Sequence, residues 1–193
     1  DGALSIPGVH AVVGRTSLDV QGTLKETVAL ELQLDSPDLQ ELLPQLGGSL
    51  QVTARVQGAR QEPAIRMELQ GADIAYASNR IERLNGRAQG VWKEQAALQA
   101  ELQARALQLG ETHIDQATIH LQGNPASHTL TVQADSKKDH LALELAGKKD
   151  GEAWTGELRQ LQLQATQIGR WRQQKSAKIE LSAQKARIEP LCV

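Results

Sequence analysis

Val28-Ala29-Leu30-Glu31-Leu32-Gln33-Leu34-Asp35 alternates an aliphatic residue with a small or polar one, and Leu50-Gln51-Val52-Thr53-Ala54-Arg55-Val56-Gln57 does the same. A β-strand sends successive side chains to opposite faces, so each stretch makes one apolar face and one polar face. Strands buried on both sides read as unbroken apolar runs, and these do not. The pattern therefore specifies a sheet that is apolar on one side only.

The same alternation extends outward in both directions. Ile65, Met67 and Leu69 show it, as do Ile119 with Leu121 and the trio Leu130, Val132, Ala134. It continues in Leu141, Leu143, Leu145, then Leu161, Leu163, Ala165, then Ile179, Leu181, Ala183. Turn signals separate the stretches: Gly22, Gly47-Gly48, Gly58 with Pro63, Asn85-Gly86, Gly123-Asn124-Pro125, Ser136 to Asp139, and Gly147 to Gly151. Connections this short exclude crossover helices, so neighbours pair antiparallel as a meander. Irregular glycine spacing argues against a solenoid of constant rung. The expectation is an all-β chain of about ten to twelve strands.

Two segments depart from the period. Ser36-Pro37-Asp38-Leu39-Gln40-Glu41-Leu42-Leu43 offers Ser36 as N-cap and Pro37 at the first helical position. Leu39, Leu42, Leu43 and Leu46 share one helical face, and Gly47-Gly48 closes it. A short amphipathic helix is expected over 36–46. The stretch 94–110 is rich in helix formers, with Leu98, Leu102, Ala106 and Leu109 on a helical stripe. Ala96, Leu98, Ala100, Leu102 and Ala104 also alternate strictly. Strand is the reading, because both neighbouring segments are strands.

Composition narrows the function classes. Among 193 residues there is no Phe, one Met, one Cys and only 2% aromatic residues. Leu, Ala, Val and Ile form a uniform hydrocarbon surface rather than a jigsaw of large shapes. A formal net charge of −2, with mixed signs, gives no field that would gather nucleic acid. No run approaches the length needed to span a bilayer as a helix. The opening Asp1-Gly2-Ala3, with no initiator Met or apolar leader, reads as part of a longer protein whose targeting region lies elsewhere. Cys192 has no internal disulfide partner.

No catalytic constellation emerges, and the chain is not read as an enzyme. His10, His113, His120, His128 and His140 are scattered without metal-ligand spacing, and no cofactor motif is present. His113 and Asp115, two apart on a strand, read as a surface pair. Gly169-Arg170-Trp171-Arg172-Gln173-Gln174-Lys175 reads as an exposed loop or strand edge.

Eleven ten-residue strands cover roughly 50 by 34 Å, from ~4.8 Å between strands and ~3.4 Å per residue. An apolar face of that size exceeds the ~300–600 Å² of a typical monomer's largest patch. The sheet is expected to curl on itself around an apolar interior. The residues expected to line that groove are Val28, Leu30, Leu32, Leu34, Leu50, Val52, Val56, Ile65, Met67, Leu69, Leu98 and Leu102. Ile119, Leu121, Leu130, Val132, Leu141, Leu143, Leu145, Leu161, Leu163, Ile179 and Leu181 complete the set.

The string Ser36 to Pro44, then Gly47-Gly48-Ser49-Leu50, Val56-Gln57-Gly58, a Pro63-opened strand, and Ile81-Glu82-Arg83-Leu84-Asn85-Gly86 resembles the repeating unit of the TamB family, within the AsmA-like superfamily. The resemblance covers nearly the whole chain and is most specific over 18–90. It implies a U-shaped "β-taco" sheet, here one segment over 1–193, in a Gram-negative envelope protein anchored in the inner membrane and crossing the periplasm. It further implies a partner, the outer-membrane barrel TamA, and roles in phospholipid transport between membranes and in assembly of outer-membrane proteins.

Three readings stay open at this point. The first is a conduit whose inward face carries phospholipid acyl chains. The second is a scaffold offering a sheet edge to nascent outer-membrane strands by β-augmentation. The third is a spacer with a dry interior. Lys175, Lys178, Lys185 and Pro190 near one edge count against the second.

Overall fold

The computed structural model describes residues 4–91, 93, 96–124, 126–150, 153–166, 168–182, 185–190 and 192. Among them are fourteen strands and one 3-10 turn. The strands are β1 (Leu4–Val13), β2 (Thr16–Leu24), β3 (Thr27–Ser36), β4 (Leu46–Ala59), β5 (Glu62–Tyr76), β6 (Asn79–Val91) and β7 (Leu98–Leu109). They continue with β8 (Thr112–Asn124), β9 (Ser127–Asp135), β10 (His140–Asp150), β11 (Ala153–Ala165), β12 (Gly169–Arg172), β13 (Ala177–Ser182) and β14 (Lys185–Ile188). All belong to one antiparallel sheet in chain order from β1 to β11, continuing through β13 to β14, while β12 pairs with β11 beside β13. The sheet does not close: β1 and β14 are its two edges.

The meander is as expected, with more strands than the ten to twelve anticipated. The extra elements are the short β12 and β14 and the edge strand β1, whose alternation is too weak to read. The stretch 98–109 is a strand, so period outweighed propensity once β6 and β8 were available to pair with it. Ala183, Pro125, Gly151 and Asp1 to Ala3 lie outside the described residues.

The amphipathic helix over 36–46 does not form. Ser36 ends β3, fully buried, with its hydroxyl 2.8 Å from that of Thr16. Leu39–Glu41 makes a single 3-10 turn capped by Asp38, whose carboxylate accepts from the Gln40 N–H at 3.1 Å. Leu39 is buried, whereas Leu42 and Leu43 stand exposed. Only Ser36 and Leu46 of the segment join strands, and the stripe of Leu39, Leu42 and Leu43 is not buried as a unit.

Several glycines read as turns sit inside strands instead. Gly22 pairs with Leu30 in β2–β3, Asn85-Gly86 pairs with Gln70 and Leu69, and Gly147 pairs with His128. Among the described residues turns fall at 14–15, 25–26, 60–61, 77–78, 110–111, 126, 136–139, 166 and 168, so the signals at Gly58 with Pro63, at Gly123-Asn124 and at Ser136 to Asp139 do flank or mark connections.

One line of irregularity crosses five strands. Gly48 (φ 99°) sits at a register shift in β4, while Asp73 (φ 52°) in β5 and Ala106 (φ 49°) in β7 adopt left-handed backbone. Glu82 and Asp115 lie opposite these positions. Each left-handed residue flips the strand's phase by one. Beyond the line the apolar row is Ile74, Ile81, Leu107 and Ile114, out of phase with Gly71, Leu84, Ala104 and Ala117. Ile74 Cδ1 would lie 2.6 Å from a Cβ on Gly71, so both phases serve the same face.

Few apolar side chains are truly buried: Val28, Leu39, Ala104, Leu107, Ala142, Leu158 and Ala177. The molecule exposes 13246 Å² at 21.0 kDa, against roughly 9,000 Å² for a compact monomer of that mass. The fold is a wide sheet with an accessible face, not a closed core.

Candidate functional site

Register turns the sequence alternation into rows that run across the strands. Directly opposed residues of antiparallel strands share a face. One row passes through Ala11, Leu18, Leu34, Val52, Leu69, Gly86, Leu102, Ile119, Val132, Leu143 and Leu161. A second passes through Val9, Val20, Leu32, Ala54, Met67, Ala88, Ala100, Leu121, Leu130, Leu145, Leu158 and Ala177. A third holds Leu30, Val56, Ile65, Leu98 and Ile179, interleaved with Gly22, Gly90, Gly123, Gly147 and Gly156. A fourth holds Leu50, Gly71, Leu84, Ala104, Ala117, Ala134, Leu141 and Leu163. Val28 lies one step beyond the third row opposite Leu24, and Leu181 lies opposite Trp154.

Every residue anticipated as groove lining thus falls on one face in register. Val28 alone of them is buried. Most are half-buried, and Met67, Leu102, Ile119 and Leu181 remain 37–44% exposed. This face carries hydrocarbon across the sheet without a charged row interrupting it.

The opposite face is polar in the same ordered way. Its central row reads His10, Asp19, Gln33, Thr53, Glu68, Arg87, Glu101, His120, Thr131, Glu144 and Gln160. Glu101 is held by Arg87, whose Nε donates at 2.7 Å, and by the Gln103 amide at 2.5 Å. Those bonds, Gln103 first and then Arg87, pull its pKa below the ordinary carboxyl value. Asp139 is lowered by the Thr166 N–H at 2.8 Å and by the Thr166 hydroxyl at 3.0 Å. Glu41 is lowered by the Arg15 N–H at 2.6 Å and the Arg15 side chain at 3.0 Å. Each of these carboxylates keeps its charge at neutral pH and has no proton to donate as a general acid.

Hollows occur on both sides of the sheet. One of about 600 Å³ on the polar face is bordered by His10, Asp19, Glu31, Arg55, Arg66 and Glu68, and one of about 500 Å³ by Arg66, Glu68, Arg87, Glu101 and His120. A third, of about 650 Å³, is apolar. Val91, Ala96, Leu98, Leu121, Gly123 and His128 wall it near the β6–β7 and β8–β9 connections. Beside it the Trp154 indole N–H donates to His128 Nε2 at 2.7 Å, and the rings sit 5.9 Å apart. Sequence reading missed this pair: residues on β9 and β11 meet only through β10, and the signal was one of three tryptophans in a chain nearly free of aromatics.

The surface pair His113–Asp115 is made, at 3.2 Å, with both side chains exposed. Gly169–Arg172 is an exposed short strand. Among the described residues no group of three His, Cys, Asp or Glu side chains could hold a metal ion. No helix among them is long and apolar enough to cross a membrane.

No solved structure matches this chain. The sequence description of the TamB N-terminal domain matches residues 1–193, and the open, one-sided sheet lies between Leu4 and Ile188 of that span. The chain therefore belongs to the TamB family, the translocation and assembly modules of the Gram-negative envelope.

Proposed function

We propose that this segment is a non-enzymatic periplasmic conduit whose apolar face carries phospholipid acyl chains between the inner and outer membranes. The observation that supports this most is the pair of apolar rows crossing eleven or more strands in register, with Met67, Leu102 and Ile119 still exposed. Water cannot be the resting solvent of such a face: each Å² of apolar surface left wet costs about 25 cal/mol. A mobile hydrocarbon guest relieves that cost without closing the sheet. On this reading the inner-membrane anchor and the contact with TamA belong to the full-length protein, and headgroups stay at the water-exposed mouth.

The alternative, a scaffold that pairs with nascent outer-membrane strands, needs an inviting edge. Edge strand β1 carries Pro7, which has no N–H, and a register shift between Ile6 and Val9. The other edge, β14, is four residues long. Both features blunt strand addition, so the face rather than the edge is the better candidate.

The test is transport and lipid retention. Leu32→Arg and Leu143→Arg each place a cation in an apolar row, where desolvation opposes passage of a chain. Lipid passage in the full-length protein should fall while the sheet still folds, since arginine can snorkel from an open face. Unfolding of both variants would instead indicate a packed, dry interior and would reject the conduit.

A further inference from the structure

The third row of the apolar face carries Gly90, Gly123, Gly147 and Gly156 and forms a shallow trough; at Gly90 and Gly123 a Cβ would meet the neighbouring strand's backbone, Ala97 O at 2.8 Å and Ser127 O at 2.2 Å. One half of the trough is already filled. A Cβ at Gly147 would sit 2.2 Å from the Trp154 ring, and one at Gly156 would sit 2.1 Å from it, so the indole lies directly on the backbone there. Its one polar atom is satisfied internally. The indole N–H can only donate and the Asn124 carbonyl can only accept. His128 therefore takes the first at Nε2 (2.7 Å) and gives Nδ1–H to the second (3.1 Å), which fixes the neutral tautomer.

The other half of the trough is the cavity of about 650 Å³, floored by Gly123 and walled by Val91, Leu98, Leu121 and His128. That volume lies within the ~300–1,000 Å³ of small-molecule sites. Its rim pair neutralises itself, with Lys93 Nζ 2.6 Å from Glu62 Oε1, so the mouth selects no net charge. The exposed lining is mostly hydrocarbon, with Gln61, Glu62, Lys93 and Asn124 as the polar residues at its border, so most N–H and C=O groups of a peptide would go unpaired there. A slim hydrocarbon brings none. Trp154 shows what the trough accepts: an apolar slab laid on bare backbone.

We propose that this half-trough is a discrete seat for one acyl chain of a lipid, with the His128–Trp154 pair as its end wall. The proposal rests on the conduit reading above and deepens it, by turning a uniform face into one with a resting place.

The experiment uses the purified chain carrying Trp92→Phe and Trp171→Phe, so that Trp154 is the sole indole. A second reporter carries Leu32→Trp with all three native tryptophans replaced by Phe. The probe is phosphatidylcholine brominated on its acyl chain, compared with the unbrominated lipid. Trp154 should lose half or more of its emission to the brominated lipid. Leu121→Phe, or the more exposed Val91→Phe should the first not fold, should restore that emission by filling the cavity. Quenching at Leu32→Trp but not at Trp154 would overturn the seat while leaving the conduit standing. Quenching of Trp154 that a folded cavity-filling variant leaves unchanged would also overturn it, because the chain would then lie outside the cavity. Quenching at neither reporter would bring down the conduit together with the seat.

Discussion

Glu41 joins two parts of the chain that the sequence keeps apart. Its carboxylate accepts from the Arg15 and Thr16 N–H groups at 2.6 and 3.2 Å and from Arg15 Nε at 3.0 Å, while Arg15 also reaches Asp38 at 3.2 Å. The β1–β2 turn is thereby pinned to the 3-10 turn. Because folding lowers the Glu41 pKa below its ordinary 4.5, the stabilisation is fully present above that value and is lost as pH falls through the folded value. Glu41→Gln should therefore lower the urea midpoint at pH 7 and leave it nearly unchanged in acid below the folded value. An equal drop at both pH values would mean that the carboxylate's charge contributes nothing. A second residue-level test is Ser36→Ala, which removes the shorter of the two bonds of the buried Thr16 hydroxyl, leaving the 3.5 Å bond to Glu41, and should cost about 1 kcal/mol by chemical denaturation. Neither link was legible beforehand, because side-chain bonds between residues twenty or more apart leave no local period.

At the scale of elements, alternation was a good guide and punctuation a mixed one: Ser136 to Asp139 is a connection, whereas Gly22 and Asn85-Gly86 are not. Residues such as Leu32, Val52 and Leu143 announced their face because the side-chain period of a strand is two whatever its neighbours. Asn85-Gly86 misled because the same dipeptide that favours a hairpin also serves mid-strand, where Gly86 leaves room for Leu69 and Leu102. The helix expected over 36–46 failed for a related reason: Ser36 has a partner in Thr16 that only the folded sheet brings near. The two glycine roles can be separated experimentally. Gly22 has φ 151°, and a Cβ there would meet the Ala29 carbonyl oxygen at 2.1 Å, so Gly22→Ala should cost about 2 kcal/mol or more. Gly86 has no such backbone clash, its nearest neighbour being the movable Leu102 Cδ1 at 3.2 Å, so Gly86→Ala should stay within about 1 kcal/mol of wild type. Equal costs would mean that Gly86 occupies a turn after all. The phase flip at Asp73 and Ala106 was written in the sequence as apolar residues three apart, Gly71 to Ile74 and Ala104 to Leu107. A strict period-two search passes over it.

For the whole molecule, the central fact is an apolar face kept open by topology. Among the described residues, a sheet of fourteen strands that does not close gives every strand a neighbour yet gives the face no second layer of helices. The surface, well above that of a compact monomer, is the consequence. In cells, the claim that this face holds lipid is tested most directly with photo-crosslinking residues at Leu32, Val52 and Leu143, and at their neighbours Gln33, Thr53 and Glu144 on the polar face. The conduit predicts phospholipid adducts at the first three positions and none at the second three. Adducts only to outer-membrane proteins, or lipid adducts equally on both faces, would contradict it.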